Sequence, residues 1–173
     1  MPRLLLLDAT TATLPPWAAA SRPSTLRRRT IAVLALSALS PIAWAAGRPA
    51  VEVWKAPTCG CCGDWIRHLQ SNGFDVITHE VGNVAIRARL GLPQALGSCH
   101  TATVNGYVIE GHVPASDIQR LLRERPAALG LTVPGMPVGS PGMDGPAYGG
   151  RRDPYDVLLV ARDGSIKLYQ RYR

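Results

Sequence analysis

Pro57-Thr58-Cys59-Gly60-Cys61-Cys62-Gly63-Asp64 puts three of the chain's four cysteines within four positions. Ahead of it, Val51-Glu52-Val53-Trp54 alternates as a half-buried strand does, and Lys55-Ala56-Pro57 ends the strand. Behind it, Cys62, Trp65, Ile66 and Leu69 fall on one face of a helix, which Asn72-Gly73 stops. The cysteines therefore occupy the turn that opens a helix. Unpaired backbone N–H groups and the positive end of the helix dipole lower a thiol's pKa there, and the thiolate is the form that binds metals and attacks disulfides.

Outward from this turn the elements follow in a readable order. Phe74 to Val81 predicts a second strand, parallel to the first because a helix connects them. Asn83 is placed as the N-cap of a short helix through Leu90, closed by Gly91 and Pro93. A loop then delivers Cys99 and His100. Thr101 to Val104 and Tyr107 to Glu110, joined by Asn105-Gly106, carry the signature of a tight hairpin. Pro114 opens a helix with Ile118, Leu121 and Leu122 on one face, and Pro126 ends it. The resulting order, β-α-β-α-β-β-α with a C-x-x-C spacing from Cys59 to Cys62 at the first helix, is that of an α/β protein with a thioredoxin-like sheet. Cys61, inside that spacing, is a third sulfur an ordinary redox pair does not have. Residues 127–154 are rich in Gly and Pro and read as an irregular segment, while Tyr155 to Val160 and Ile166 to Gln170 predict an added C-terminal hairpin.

The first 45 residues do not read as part of this domain. Arg27-Arg28-Arg29 precedes an apolar run from Ile31 to Ala46, and Ala43-Trp44-Ala45 has the small-x-small pattern of a cleavage site. We expect residues 1–45 to be a signal peptide or leader cut near Ala45, and residues 46–173 to form an exported, periplasmic domain. The apolar run is shorter than the roughly 20 residues of a membrane span, so no span is expected after cleavage. The leader also holds five Arg and one Asp, so +4 of the formal net charge of +7 leaves with it and +3 remains. That balance, with scattered arginines, gives no nucleic-acid footprint. Nor does any Ser-His-Asp order, carboxylate pair or phosphate-binding glycine motif stand out for hydrolase or kinase chemistry.

Four cysteines in an exported chain ordinarily mean two structural disulfides. Here adjacent Cys61 and Cys62 can pair only through a strained ring, and Cys99 alone lies outside the cluster. A metal or redox site is the better reading. Thiolates and thioethers are soft donors that favour Cu(I), and four thiolates also make a tetrahedral zinc set. Met136 and Met143, in the Gly/Pro-rich segment, are soft donors of little use to zinc but useful to Cu(I); their alternative role is apolar filler. Among the histidines, His112 lies where the hairpin leaves the sheet and can approach the cysteines. His100 is a poorer candidate than Cys99, since neighbours in an extended chain point to opposite faces. His68 and His79 read as surface residues and Trp65 as core.

Cys59-Gly60-Cys61-Cys62 with Trp65, then Ser98-Cys99-His100-Thr101-Ala102, then Gly106-Tyr107-Val108-Ile109-Glu110-Gly111-His112-Val113-Pro114, and then Val133 to Met143, occur in an order that resembles the small periplasmic copper-resistance proteins of the CopG type. The resemblance implies a thioredoxin-like periplasmic copper-binding protein holding a cysteine-bridged, multi-copper site. It also implies cycling of Cu(I) and Cu(II) and transfer to copper efflux components or a periplasmic copper chaperone. The family's ligands map onto Cys59, Cys61, Cys62, Cys99, Met136 and Met143, with His112 as the auxiliary ligand proposed above. Two rivals remain open at this point: a thiol-disulfide oxidoreductase using Cys59 and Cys62, and a structural zinc module.

Overall fold

Val51 and Val53, the inward positions of the alternating stretch, are fully buried, and Glu52 between them is exposed. They belong to β1 (Ala50–Lys55), the first element of the computed structural model, which describes residues 47–173. The expected leader over residues 1–45 and its cleavage near Ala45 lie outside the described residues. After β1 come α1 (Gly60–Ser71), β2 (Asp75–His79), α2 (Val84–Arg89), β3 (His100–Val104), β4 (Tyr107–Glu110) and α3 (Ala115–Glu124). Then follow β5 (Gly130–Thr132), β6 (Tyr155–Val160) and β7 (Ile166–Tyr172). No helix among the described residues is long and apolar enough to cross a membrane.

The strands form one mixed sheet in the order β2-β1-β3-β4-β5-β6-β7. The β1–β2 and β4–β5 pairs are parallel and the others antiparallel. This α/β architecture carries the expected β-α-β-α-β-β-α order in its first part. Trp65 and Leu69 from α1 and Ile118 and Leu121 from α3 are fully buried in the same core as Val51, Val53, Ala102 and Ile109. Full burial of each large side chain contributes roughly 1.5–3 kcal/mol.

The segment 127–154 departs from expectation because it contains β5. Three residues between turn signals are too short for periodicity to register. The pairing is nonetheless tight: a Cβ on Gly130 would stand 1.8 Å from the Val108 carbonyl oxygen, so only glycine lets the strands meet there. Leu131 is fully buried. β5 is also the bridge by which the expected C-terminal hairpin, β6–β7, extends the sheet.

Asn83 is a second departure. It precedes α2 but makes no side-chain cap; its amide instead donates to the Ser98 carbonyl (3.1 Å) and to Thr101 Oγ1 (3.2 Å). Tertiary partners have taken the group that local sequence assigns to the helix end.

Register explains where the chemistry falls. Lys55, the last residue of β1, pairs with His100, the first of β3, and Thr101 pairs with Glu110, the last of β4. The turn after β1, the loop before β3 and the exit from β4 therefore share one end of the sheet. Thr132, the last residue of β5, pairs with Glu110 too, so the methionine-bearing segment leaves from the same end.

Candidate metal centre

Cys59 is the residue before α1, and Cys61 and Cys62 lie in its first turn. The helix forms here because the Cys59 N–H donates to the Ala56 carbonyl (3.1 Å), closing the turn after β1, and because Cys62 and Trp65 bury one face. Cys99 arrives from the opposite direction, immediately before β3. The four sulfurs lie within 4.8 Å of one another. Cys59 Sγ is 3.7 Å from Cys61 Sγ, and Cys62 Sγ is 3.8 Å from the Cys99 carbonyl oxygen.

The oxidation state differs from expectation. Cys59 and Cys62 are joined in a disulfide, leaving Cys61 and Cys99 as free thiols. The sequence reading puts Cys59, Cys61 and Cys62 at the helix opening and Cys99 on a separate loop, with all four as thiolates; in this structure the four are not all thiolates. Two sulfurs are tied to each other, and burial pushes the Cys99 thiol up to about 12, with the nearby Cys61 adding to the rise. Cys99 lies beside β3 rather than on the helix opening, so the helix dipole does not offset its desolvation.

His112 follows β4 and is fully buried. Its Nδ1 donates to the Pro141 carbonyl (2.8 Å), which leaves the Nε2 lone pair facing Cys99 Sγ at 3.1 Å. A backbone carbonyl that fixes the tautomer of an imidazole is a recurrent support for a metal-ligating histidine. His100, ranked below Cys99 in sequence, also reaches the centre: its Nδ1 is 3.4 Å from Cys99 Sγ, and Cys99, His100 and His112 form a second group of close donors. Alternation did not apply because Cys99 precedes the strand. Burial lowers the pKa of both imidazoles, His100 further than His112, so both are neutral at pH 7, as metal ligands must be. The ring of Trp65 lies 4.2 Å from that of His100, and its Nε1–H donates to the Val113 carbonyl (2.9 Å). Trp65 thus fulfils its core role while forming one wall of the histidine pair. His68 is not a plain surface residue, since its Nε2 accepts from the Ala115 N–H (3.1 Å) at the start of α3.

The two methionines part company. Met136 is 53% exposed and lines an open cleft with Cys99. Met143 is buried, and its Sδ accepts a hydrogen bond from the Tyr148 hydroxyl (3.2 Å). The turn between them covers the cysteines: Gly142, at φ +84°, comes so close to α1 that a Cβ would stand 2.7 Å from the Cys61 carbonyl oxygen and 2.7 Å from the Trp65 nitrogen.

A network that sequence reasoning missed holds Cys99 in place. Glu110 is fully buried, and its carboxylate accepts from the Ser98 N–H (2.7 Å), Arg87 Nη1 (3.0 Å) and Thr101 Oγ1 (2.5 Å). Arg87 Nη1 also donates to the Ser98 carbonyl (3.1 Å). Residues 98–101 are clamped from both sides. Burial still pushes the Glu110 carboxyl above its ordinary value, against these three donors. The one signal was a glutamate closing an apolar strand, Tyr107-Val108-Ile109-Glu110, in a position a strand buries.

The donor set fits a soft ion. Four thiolates around one ion at about 2.3 Å stand about 3.8 Å from each other, so sulfurs within 4.8 Å need only small shifts once the disulfide is opened. Oxidised, the centre keeps two thiols and two neutral imidazoles.

Residues 96–143 match the family described as "Protein of unknown function, DUF411". No curated protein matches the chain. Two solved structures do. One, "Copper resistance protein copG- Form 2", shares 47% identity over 72% of this chain and 98% of its own, with a TM-score of 0.67. The other, "Copper resistance protein copG- Form 1", shares 48% identity over 71% of this chain and 96% of its own, with a TM-score of 0.66.

Proposed function

Because this chain belongs to the family of the copper resistance protein CopG, we propose that it takes copper as its cargo in copper resistance, binding Cu(I) through Cys59, Cys61, Cys62 and Cys99 after reduction of the Cys59–Cys62 disulfide. His112 is the auxiliary donor. The observation that carries this reading is the convergence of four sulfurs from two distant parts of the chain within 4.8 Å. Soft thiolates select Cu(I) and can bridge two ions, so the set accommodates a multinuclear site. The domain works as an exported, periplasmic protein, receiving copper from, or yielding it to, a chaperone or efflux component.

The same centre supports a redox step. Two Cu(II) ions accept one electron each as the Cys59 and Cys62 thiols lose two protons and close their S–S bond, leaving two Cu(I) ions. Cys61, Cys99 and the neutral imidazoles remain as donors in the oxidised centre.

Metal analysis of the reduced chain, with absorption in the sulfur-to-copper charge-transfer region, tests the reading. Cys61→Ser and Cys99→Ser are expected to lower the copper content. A reduced wild-type chain that retains no copper, or holds stoichiometric zinc that copper does not displace, overturns it.

The disulfide itself favours a second reading, a thiol-disulfide oxidoreductase working through Cys59 and Cys62. In that case Cys61→Ser keeps full exchange activity, and a mixed disulfide with a substrate thiol can be trapped.

A further inference from the structure

We infer that the open cleft beside Cys99 is the route by which Cu(I) reaches the centre, with the Met136 thioether acting at its mouth as a transfer ligand and not as a resident one. This rests on the copper reading above and adds to it a path and a residue role. The cleft encloses about 380 Å³ and is lined by Arg87, Gln94, Ser98, Cys99, Gly135 and Met136 among others. It joins solvent to one sulfur of the centre.

Three features of the cleft suit it to a soft cation. First, the position of Met136 is held: the Gly135 N–H donates to the Gly97 carbonyl (3.2 Å), and the Gly135 carbonyl accepts from Ser98 Oγ, so the residue before Met136 is pinned to the residues before Cys99. Second, the cleft's one charged side chain is compensated, because the Arg87 guanidinium lies 3.0 Å from the Glu110 carboxylate. Third, the two ends differ in donor strength. A neutral thioether binds Cu(I) more weakly than a thiolate does, so an ion captured at Met136 moves downhill to Cys99. In that move the bond to the Met136 sulfur breaks, the bond to the Cys99 sulfur forms, the thiol proton passes to water, and the ion stays Cu(I). Met143 is unsuited to this role, being buried with its sulfur engaged by Tyr148.

The test is stopped-flow transfer of Cu(I) from its bicinchoninate complex to the reduced full chain, comparing wild type, Met136→Leu and Met143→Leu. Met136→Leu is expected to slow transfer by roughly tenfold at an unchanged final copper content, since capture next to Cys99 is replaced by encounter from solution. Met143→Leu is expected to keep the wild-type rate. Equal rates for wild type and Met136→Leu overturn the transfer role and leave copper binding standing. A lowered final copper content in Met136→Leu makes Met136 a resident ligand and also overturns it. A wild-type chain that takes up no Cu(I) removes the copper reading and the transfer role together.

Discussion

Replacing Glu110 asks whether the buried carboxylate is what holds Cys99 in the centre. In Glu110→Ala three donors lose their acceptor. Arg87 keeps the Ser98 carbonyl and Thr101 Oγ1 keeps the Asn83 amide as a donor, but the Ser98 N–H and the Thr101 hydroxyl proton keep no acceptor among the described residues. A stranded buried donor costs about 1–3 kcal/mol, and removing one member of a buried ion pair costs about 3–5 kcal/mol. These costs overlap because the same carboxylate carries them, so the expected loss is about 4 kcal/mol. Glu110→Gln keeps one acceptor oxygen and the side chain's volume, and should cost about 2 kcal/mol. With a urea slope of about 1.5 kcal/mol/M, the unfolding midpoint should fall by nearly 3 M for Ala and by just over 1 M for Gln. Combining Glu110→Gln with Arg87→Met should cost at least about 1 kcal/mol less than the sum of the two singles, because the unpaired guanidinium is gone. A midpoint shift below about 0.5 M for Glu110→Ala, or strict additivity in the double variant, would refute the clamp.

Two further predictions concern the cover and the sheet. Gly142→Ala places a methyl group against α1 at a positive φ, so the Ser140–Met143 turn should lift from Cys61 and carry the Pro141 carbonyl away from His112; we expect a loss of about 1–3 kcal/mol in urea unfolding and faster amide exchange over the turn, and an unchanged midpoint would refute the close contact. Asp117, buried beside the Tyr172 hydroxyl (2.8 Å), has its carboxyl raised by desolvation, so its contribution to stability is full below about pH 4 and is lost as pH rises through the folded-state value. Urea midpoints of wild type should therefore fall relative to those of Asp117→Asn as pH is raised from about 4 to 6, and a constant difference would refute the shift.

Much of this molecule was legible because strong local signals coincided with tertiary need. The Asn105-Gly106 turn joins β3 to β4 as its sequence demands, with both residues at positive φ. The apolar face starting at Cys62 is the buried face of α1. Legibility failed where a residue's role is set by a distant partner. Asn83 has the chemistry of a cap, yet Ser98 and Thr101, far along the chain, claim its amide. Glu110 and Arg87 carry no pattern of their own and become a unit only when β4 and α2 meet. The Cys59–Cys62 disulfide was visible as a spacing, but spacing does not say whether two sulfurs hold each other or an ion.

The most consequential miss, β5, also explains why the methionine segment lies beside the cysteine centre. An irregular segment after α3 has no reason to return to the cysteine end of the sheet. A strand parallel to β4 does: β4 runs toward that end and stops at Glu110, so Thr132 beside Glu110 delivers the next residues there. From that point Gly135 ties onto Gly97 and Ser98, Met136 comes to the rim of the Cys99 cleft, and Pro141 meets His112. The pairing depends on Gly130, whose missing Cβ lets β5 approach Val108. The methionine segment is therefore placed by a backbone contact remote from every sulfur. Gly130→Ala should therefore disturb the cleft and the His112 support more than the opening of α1 that holds Cys59, Cys61 and Cys62, so amide exchange should quicken over residues 130–143 more than over residues 60–71, and equal changes in the two stretches would refute the placement.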